Sequence, residues 1–279
     1  MRLLDRHDAV HGSHGVRDAA RYQLKLIAEH RKVARGQLRT DLLRVEACWS
    51  DFAAWLSHDM GDVRARNELA EQALRLAQEA NWPDMVAYVI TRRSRWALAG
   101  LDARRAVAFA KMASRTPGTS DGLRVLCILQ EAQGHALADD ATACERTLAH
   151  AHAVLGKAAP AEAPHMASNE MAPHYIAAAD ARCWLWLQPR KAVDAYQHAL
   201  RIWPRERRRS GCVHQARLAL AHTAAGEPER AAAEGMKALR VAQDTKSELA
   251  ARELRRLNQE LAAYDAPAVA DFREAFAAL

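Results

Sequence analysis

Five short breaks divide the chain at nearly regular intervals. They fall at Gly61-Asp62, Leu101-Asp102, Asp139-Asp140, Leu187-Gln188 and Gly226-Glu227, separated by 40, 38, 48 and 39 residues. A helical pattern flanks every break: 42–60 and 63–81, 85–99 and 103–115, 123–138 and 141–156, 172–186 and 190–203, 212–225 and 228–245. A period of this size marks a repeat architecture, in which each unit buries its apolar face only against its neighbours. Composition removes the alternative built on strands. Alanine supplies 62 of the 279 residues, whereas Val, Ile and Thr together supply 27, and Gly and Pro are too few for the frequent turns of a sheet. With 50% hydrophobic and 27% charged residues, the chain has ample core material and is too apolar for global disorder.

In the second helix of several hairpins, small residues recur seven apart: Ala106 and Ala113, Ala192 and Ala199, Ala231 and Ala238. That spacing puts both methyl groups on one helix face, two turns apart, and lets a partner helix approach closely. The fourth unit carries the fullest pattern. Its Ala192, Tyr196, Ala199 and Pro204 reproduce the small, aromatic, small, proline spacing of a tetratricopeptide repeat. Other units are degenerate, with Arg66 and Cys144 at small positions and Gly235 at an aromatic one. The expected fold is all-α: a right-handed α-solenoid of about five such hairpins, with N- and C-terminal capping helices. Its divisions are a polar tail and amphipathic helix at 1–36, repeats one to three at 37–158, a Pro/Ala linker at 159–168, repeats four and five at 169–247, and capping helices at 248–279.

Three stretches resemble a known family: Gly211-Cys212 through Glu227-Pro228-Glu229-Arg230-Ala231-Ala232, Ala87-Tyr88-Val89 with Arg92, Arg93 and Ser94, and Leu129 through Ala136. From about residue 42 onward the chain is similar to the tetratricopeptide sensory region of actinobacterial transcription regulators that carry a helix-turn-helix domain in front. The resemblance implies a regulatory, protein-interaction role. About forty residues precede the first repeat, and the expectation from them is a relative without the helix-turn-helix domain.

In such a stack the first helix of each hairpin lines a concave groove. Asp51, Trp55 and His58 form one stripe at i, i+4 and i+7, and Tyr88, Arg92 and Arg95 repeat it in the next unit. An aromatic shelf beside two guanidiniums suits a carboxylate, which Arg grips with parallel hydrogen bonds. Gln130, Gln133, His174 and Trp184 extend this candidate surface. The competing reading makes the aromatic residues packing and the arginines solvated.

These features predict an interaction or sensor protein that binds a peptide, a protein segment or a small acidic signal, with ligand shifting the curvature of the superhelix. The alternative is a nucleic-acid-associated regulator. Net charge is +6, and Arg201, Arg205, Arg207, Arg208 and Arg209 cluster between the fourth and fifth units, where they would meet phosphates. A weaker alternative is an enzyme with its active site in the groove. No nucleophile elbow, phosphate loop or H-E-x-x-H is present, so no catalytic residue, metal or cofactor is expected. The five cysteines form no C-x-x-C pair and read as reduced core residues. No signal peptide or membrane-spanning stretch is seen, and a cytoplasmic location is expected, with self-association into a homodimer left open.

Overall fold

A computed structural model describes residues 1–157 and 170–278. The connection expected at 159–168 lies outside the described residues. Among these the structure is helical: α1 (Arg2–His11), a 3₁₀ turn (Ser13–Gly15), α2 (Arg17–Val33), α3 (Gly36–Asp59), α4 (Val63–Glu79), α5 (Pro83–Ala99), α6 (Ala103–Ser114), α7 (Asp121–Leu137), α8 (Ala141–Leu155), α9 (Pro173–Leu187), α10 (Pro189–Arg201), α11 (Arg208–Ala224), α12 (Pro228–Thr245), α13 (Glu248–Leu261) and α14 (Pro267–Phe276). No helix among the described residues is long and apolar enough to cross a membrane.

Four of the five breaks, and two further helix ends, form by one local device. Gly61, Asn81, Leu101, Asp139, Gly226 and Lys246 all take positive φ, between 46° and 80°, which ends a helix with a left-handed residue. A capping group then restarts the chain. Asp62, Asp102 and Asp140 accept hydrogen bonds from the backbone N–H of Ala65, Arg105 and Ala143, at 2.9, 3.0 and 2.9 Å. Elsewhere Pro83, Pro189 and Pro228 open the next helix, where a missing N–H costs nothing.

Successive helices pair as hairpins, α3 with α4, α5 with α6, α7 with α8, α9 with α10 and α11 with α12, and the hairpins stack as a helical solenoid. The paired alanines sit where the sequence puts them. Ala106, Ala113, Ala192, Ala199, Ala231 and Ala238 are all wholly buried, and methyl-sized contacts hold the helices close. Gly235, the odd residue of the fifth unit, also has a packing cause. A Cβ there would lie 2.6 Å from Leu257 and 2.9 Å from Phe272, so the α13 and α14 side chains occupy the space that an aromatic fills in the fourth unit.

The inner helices α3, α5, α7, α9, α11 and α13 each touch the next, and α13 in turn touches α3. The stack therefore bends round until its last inner helix meets its first. The segment ahead of Arg17 differs from its expected form as a polar tail: it is helical from Arg2 and packs on α11 and α12 across the join. Its polarity has a tertiary cause, since the acids of α1 meet arginines some two hundred residues later.

Arg209 is the centre of that join. Only 4% exposed, it donates to the Asp8 carboxylate and, at 3.1 Å, to the Asp8 carbonyl. Its other arm lies 3.3 Å from Asp59 at the end of α3, and its guanidinium stacks 4.9 Å from the centre of the Trp55 ring. Ser13 Oγ sits 2.8 Å from Asp8 and 2.9 Å from Asp59, while Ser247 donates to Asp59 at 2.6 Å. One serine hydroxyl has one proton, which the two acids share. Burial pushes the Asp8 carboxyl above its usual range, against the pull of Arg209. Gly12 completes the seal, because a Cβ there would stand 2.0 Å from the Thr245 carbonyl oxygen.

Arg209→Ala leaves two buried acids facing each other. It should cost roughly 3–5 kcal/mol and lower Tm by about 10 °C in a thermal melt; a variant melting within about 2 °C of the parent would show that this junction does not hold the ring.

Candidate functional site

Closure turns the concave face into a partly open chamber of about 190 Å³. Every inner helix contributes to its wall, and α1 adds Asp5 and Ala9. Of the residues singled out from the sequence, Trp55, His58, Arg95, Gln130 and Gln133 line this space.

Five others do not reach it. Asp51, Tyr88 and Arg92 are 1%, 0% and 2% exposed and lie in the wall between α3 and α5. Arg92 sits beside Asp51 at 3.2 Å, a charge contact whose geometry makes no hydrogen bond, and is sandwiched against the Trp55 and Tyr88 rings at 5.2 and 5.6 Å. It donates to the Tyr88 hydroxyl at 3.2 Å, which donates to Glu170 at 2.9 Å, and Glu170 pairs with Arg95. This buried relay props Arg95 from behind. His174 packs against Tyr175 and Trp203 instead, and its neighbour Tyr175 faces the chamber. Trp184 packs between two core clusters with the Lys191 ammonium 3.2 Å from its ring centre.

The basic run also points inward in part. Arg209 is the buried junction, Arg207 lies 3.6 Å from Asp5, and Arg208, half exposed, pairs with Asp244 at 3.1 Å. Arg205 is exposed.

Sequence reasoning missed the arginines at the heart of the chamber, Arg182 on α9, Arg217 on α11 and Arg252 on α13. A signal existed, because they stand 35 residues apart, from 182 to 217 and again from 217 to 252. Three successive inner helices thus each present an arginine to the same space. They share one nearby buried acid. Glu253 pairs with Arg217 at 2.7 Å, and Arg182 and Arg252 pull on the same carboxylate without approaching to ion-pair distance. Burial alone would raise the Glu253 carboxyl, but the surrounding guanidiniums outweigh it and hold it below its usual range. Arg182 goes the other way: burial, then repulsion from Arg217, brings it down to about 9. Arg252 is likewise lowered by burial, with Arg217 and Arg255 opposing its charge. Among the described residues neither Arg182 nor Arg252 has a carboxylate within 4 Å; Arg182 has only the face of Trp186, at 5.3 Å.

The amide oxygens of Gln130 and Gln133 are buried without a hydrogen-bond partner, on side chains 6% and 2% exposed. Leu126, Leu129, Val213 and Leu249 supply apolar wall between these polar groups. Cys127, Cys144, Cys183 and Cys212 are buried free thiols away from the lining, and Cys48 is partly buried.

No protein-family model matches the chain, and no curated protein matches it. The physical reading of the chamber therefore stands on its geometry.

His58 gives the site a pH signature. Burial, then the charges of Arg252, Arg66, Arg92 and Arg95, lower its imidazole from 6.5 to about 3. Below pH 6.5 the unfolded chain takes up a proton there that the folded chain refuses, so acidification costs stability. Asp51 opposes this, since burial raises its carboxyl to about 6 and the folded state gains a proton as pH falls. Comparison with His58→Gln isolates the histidine. The stability of the parent relative to that variant should fall by about 1.4 kcal/mol between pH 7.5 and 5.5 in urea titrations; a constant difference would mean that His58 ionises freely in the folded protein.

Proposed function

We propose that this protein is a receptor for a small acidic molecule, which it takes into the chamber at the centre of its ring. One observation carries the reading: two guanidiniums, Arg182 and Arg252, are drawn out of bulk water into a chamber without an ion-pair partner among the described residues. A buried charge without a partner is costly, and an anion from outside is the natural complement. The size of the space favours a small guest over an extended peptide. A void of about 150 Å³ accepts a molecule such as benzene, so a chamber of about 190 Å³ suits roughly ten non-hydrogen atoms. Contact of α13 with α3, and of α1 with α11, leaves the concave face without the long open trough that a peptide strand needs.

The resemblance to sensory regions of transcription regulators supports a regulatory use of such binding. Helix α1 belongs both to the chamber wall and to the Arg209 junction. A guest that neutralises the inner arginines favours the closed ring over an opened one, and the N-terminal helix reports the difference. The nucleic-acid reading has less support, because Arg207 and Arg209 are held by Asp5 and Asp8.

A thermal-shift panel of small carboxylates, phosphates and their neutral analogues tests the proposal. At a hundredfold excess over its Kd, an acid that binds only the folded state adds about 2.7 kcal/mol. Acids should raise Tm and neutral analogues should not. Ala179→Phe, which fills the chamber from α9, should abolish the shift while leaving helicity unchanged. Shifts that persist in Ala179→Phe, or a panel without any shift, would sink the reading.

A further inference from the structure

The chamber reading leaves the charge and shape of the guest open, and the arginine arrangement narrows both. We infer that Arg182, Arg217 and Arg252 form a subsite for a doubly charged oxyanion, a phosphate monoester or a close pair of carboxylates, carried on a compact apolar body. The inference rests on the proposed function and specifies its ligand class.

The charge count comes from which groups meet at the chamber wall. Around Glu253 stand three guanidiniums and one carboxylate, which leaves two positive charges. Other acids near the cluster are engaged elsewhere. Glu170 is bound by Arg95 and Tyr88, and Glu248 forms two 2.8 Å bonds to Arg255. A monoanion would leave one guanidinium uncompensated, whereas a dianion matches the pair. Guanidinium suits this task because its planar donors meet oxyanions two at a time and it stays charged where an ammonium would lose its proton.

Position supports the same conclusion. The three side chains come from neighbouring inner helices, line the same chamber, and Arg182 and Arg252 each lie close enough to feel the charge of Arg217. Tyr196, wholly buried beside Arg182 and Arg217, leaves its hydroxyl without a partner. Beyond the arginines, Leu126, Leu129, Val213 and Leu249 offer apolar contact, and the orphaned oxygens of Gln130 and Gln133 await a hydroxyl or N–H on the guest. Inorganic phosphate alone would satisfy the charges and leave the apolar wall uncovered.

Phenyl phosphate and phenyl sulfate have nearly the same shape and differ by one charge at pH 7.5, because the second phosphate ionisation lies near 6. Isothermal titration calorimetry on the full chain should find phenyl phosphate bound at least about tenfold tighter than phenyl sulfate and tighter than inorganic phosphate, a tenfold step being about 1.4 kcal/mol. Arg182→Gln and Arg252→Gln should each weaken phenyl phosphate by about tenfold or more and erase its preference over phenyl sulfate. Arg64→Gln, on an exposed face of α4, should change nothing. Without ligand, Arg182→Gln should melt about 2 °C higher, because it removes a desolvated, repelled charge.

Equal affinity for the two probes, or full phenyl phosphate affinity in both arginine variants, overturns the dianion subsite. So does a lower melting point in ligand-free Arg182→Gln, which would make that guanidinium a strut of the ring. In each case the chamber reading survives if Ala179→Phe still abolishes acid binding. If Ala179→Phe binds the acid panel as the parent does, the chamber reading falls as well.

Discussion

The Arg209 guanidinium, clasped by Asp8 and Asp59, is the interaction on which the rest of the molecule depends. A stack of antiparallel hairpins has two ends, each presenting a helix face to water. Here one residue at the start of α11 reaches the N-terminal helix and the end of α3 together, and Ser247 grips the same Asp59 from the start of α13. The ends are thereby drawn into contact, and the concavity becomes a partly covered chamber. Buried ion pairs contribute little net stability, because desolvation offsets most of their attraction. Their value here is directional: a guanidinium with two carboxylates fixes one closure geometry where apolar contact would tolerate several.

Inside that space the balance of charge is reversed. At the junction two acids surround one arginine, while on the inner wall three arginines surround one acid. The first arrangement nearly satisfies itself, with hydrogen bonds from Ser13 and Ser247 added to the guanidinium. The second cannot, since guanidinium does not readily release its proton. The surplus of one region is thus structural, and on the proposed reading that of the other is met by the guest. The relay from Asp51 through Arg92, Tyr88 and Glu170 to Arg95 adds a third arrangement, in which every group has a neighbour of opposite charge or a hydroxyl and only Glu170 and Arg95 face the cavity.

The fold was readable because its causes are local. Alanines seven residues apart, aspartates that cap the next helix, and prolines at helix starts each act within a turn or two of their own position. The inner face was readable in part. Trp55, His58, Arg95, Gln130 and Gln133 follow from helix periodicity, but the same periodicity also selected Asp51, Tyr88 and Arg92. These lie a turn further along the stripe, where α3 and α5 press together and the space closes. Arg182, Arg217 and Arg252 escaped notice because none is conspicuous on its own helix. Only the chamber that they line together shows them as one set. Nothing local announces the partnership of Asp8 with Arg209, and the N-terminal segment looked like a tail because the arginines that make it a helix face lie at the far end of the chain.

The separation of 201 residues between Asp8 and Arg209 shapes how the molecule is made. Hairpins form from neighbours in sequence and settle quickly, whereas bringing distant segments together must overcome the loop entropy of nearly everything between them. On the ribosome the N-terminal helix emerges long before its arginine is translated, so its aspartates wait in water while hairpin after hairpin is added behind them. The clasp cannot fasten before Arg209 is made, and until then a nascent chain lacks the contact that joins its ends.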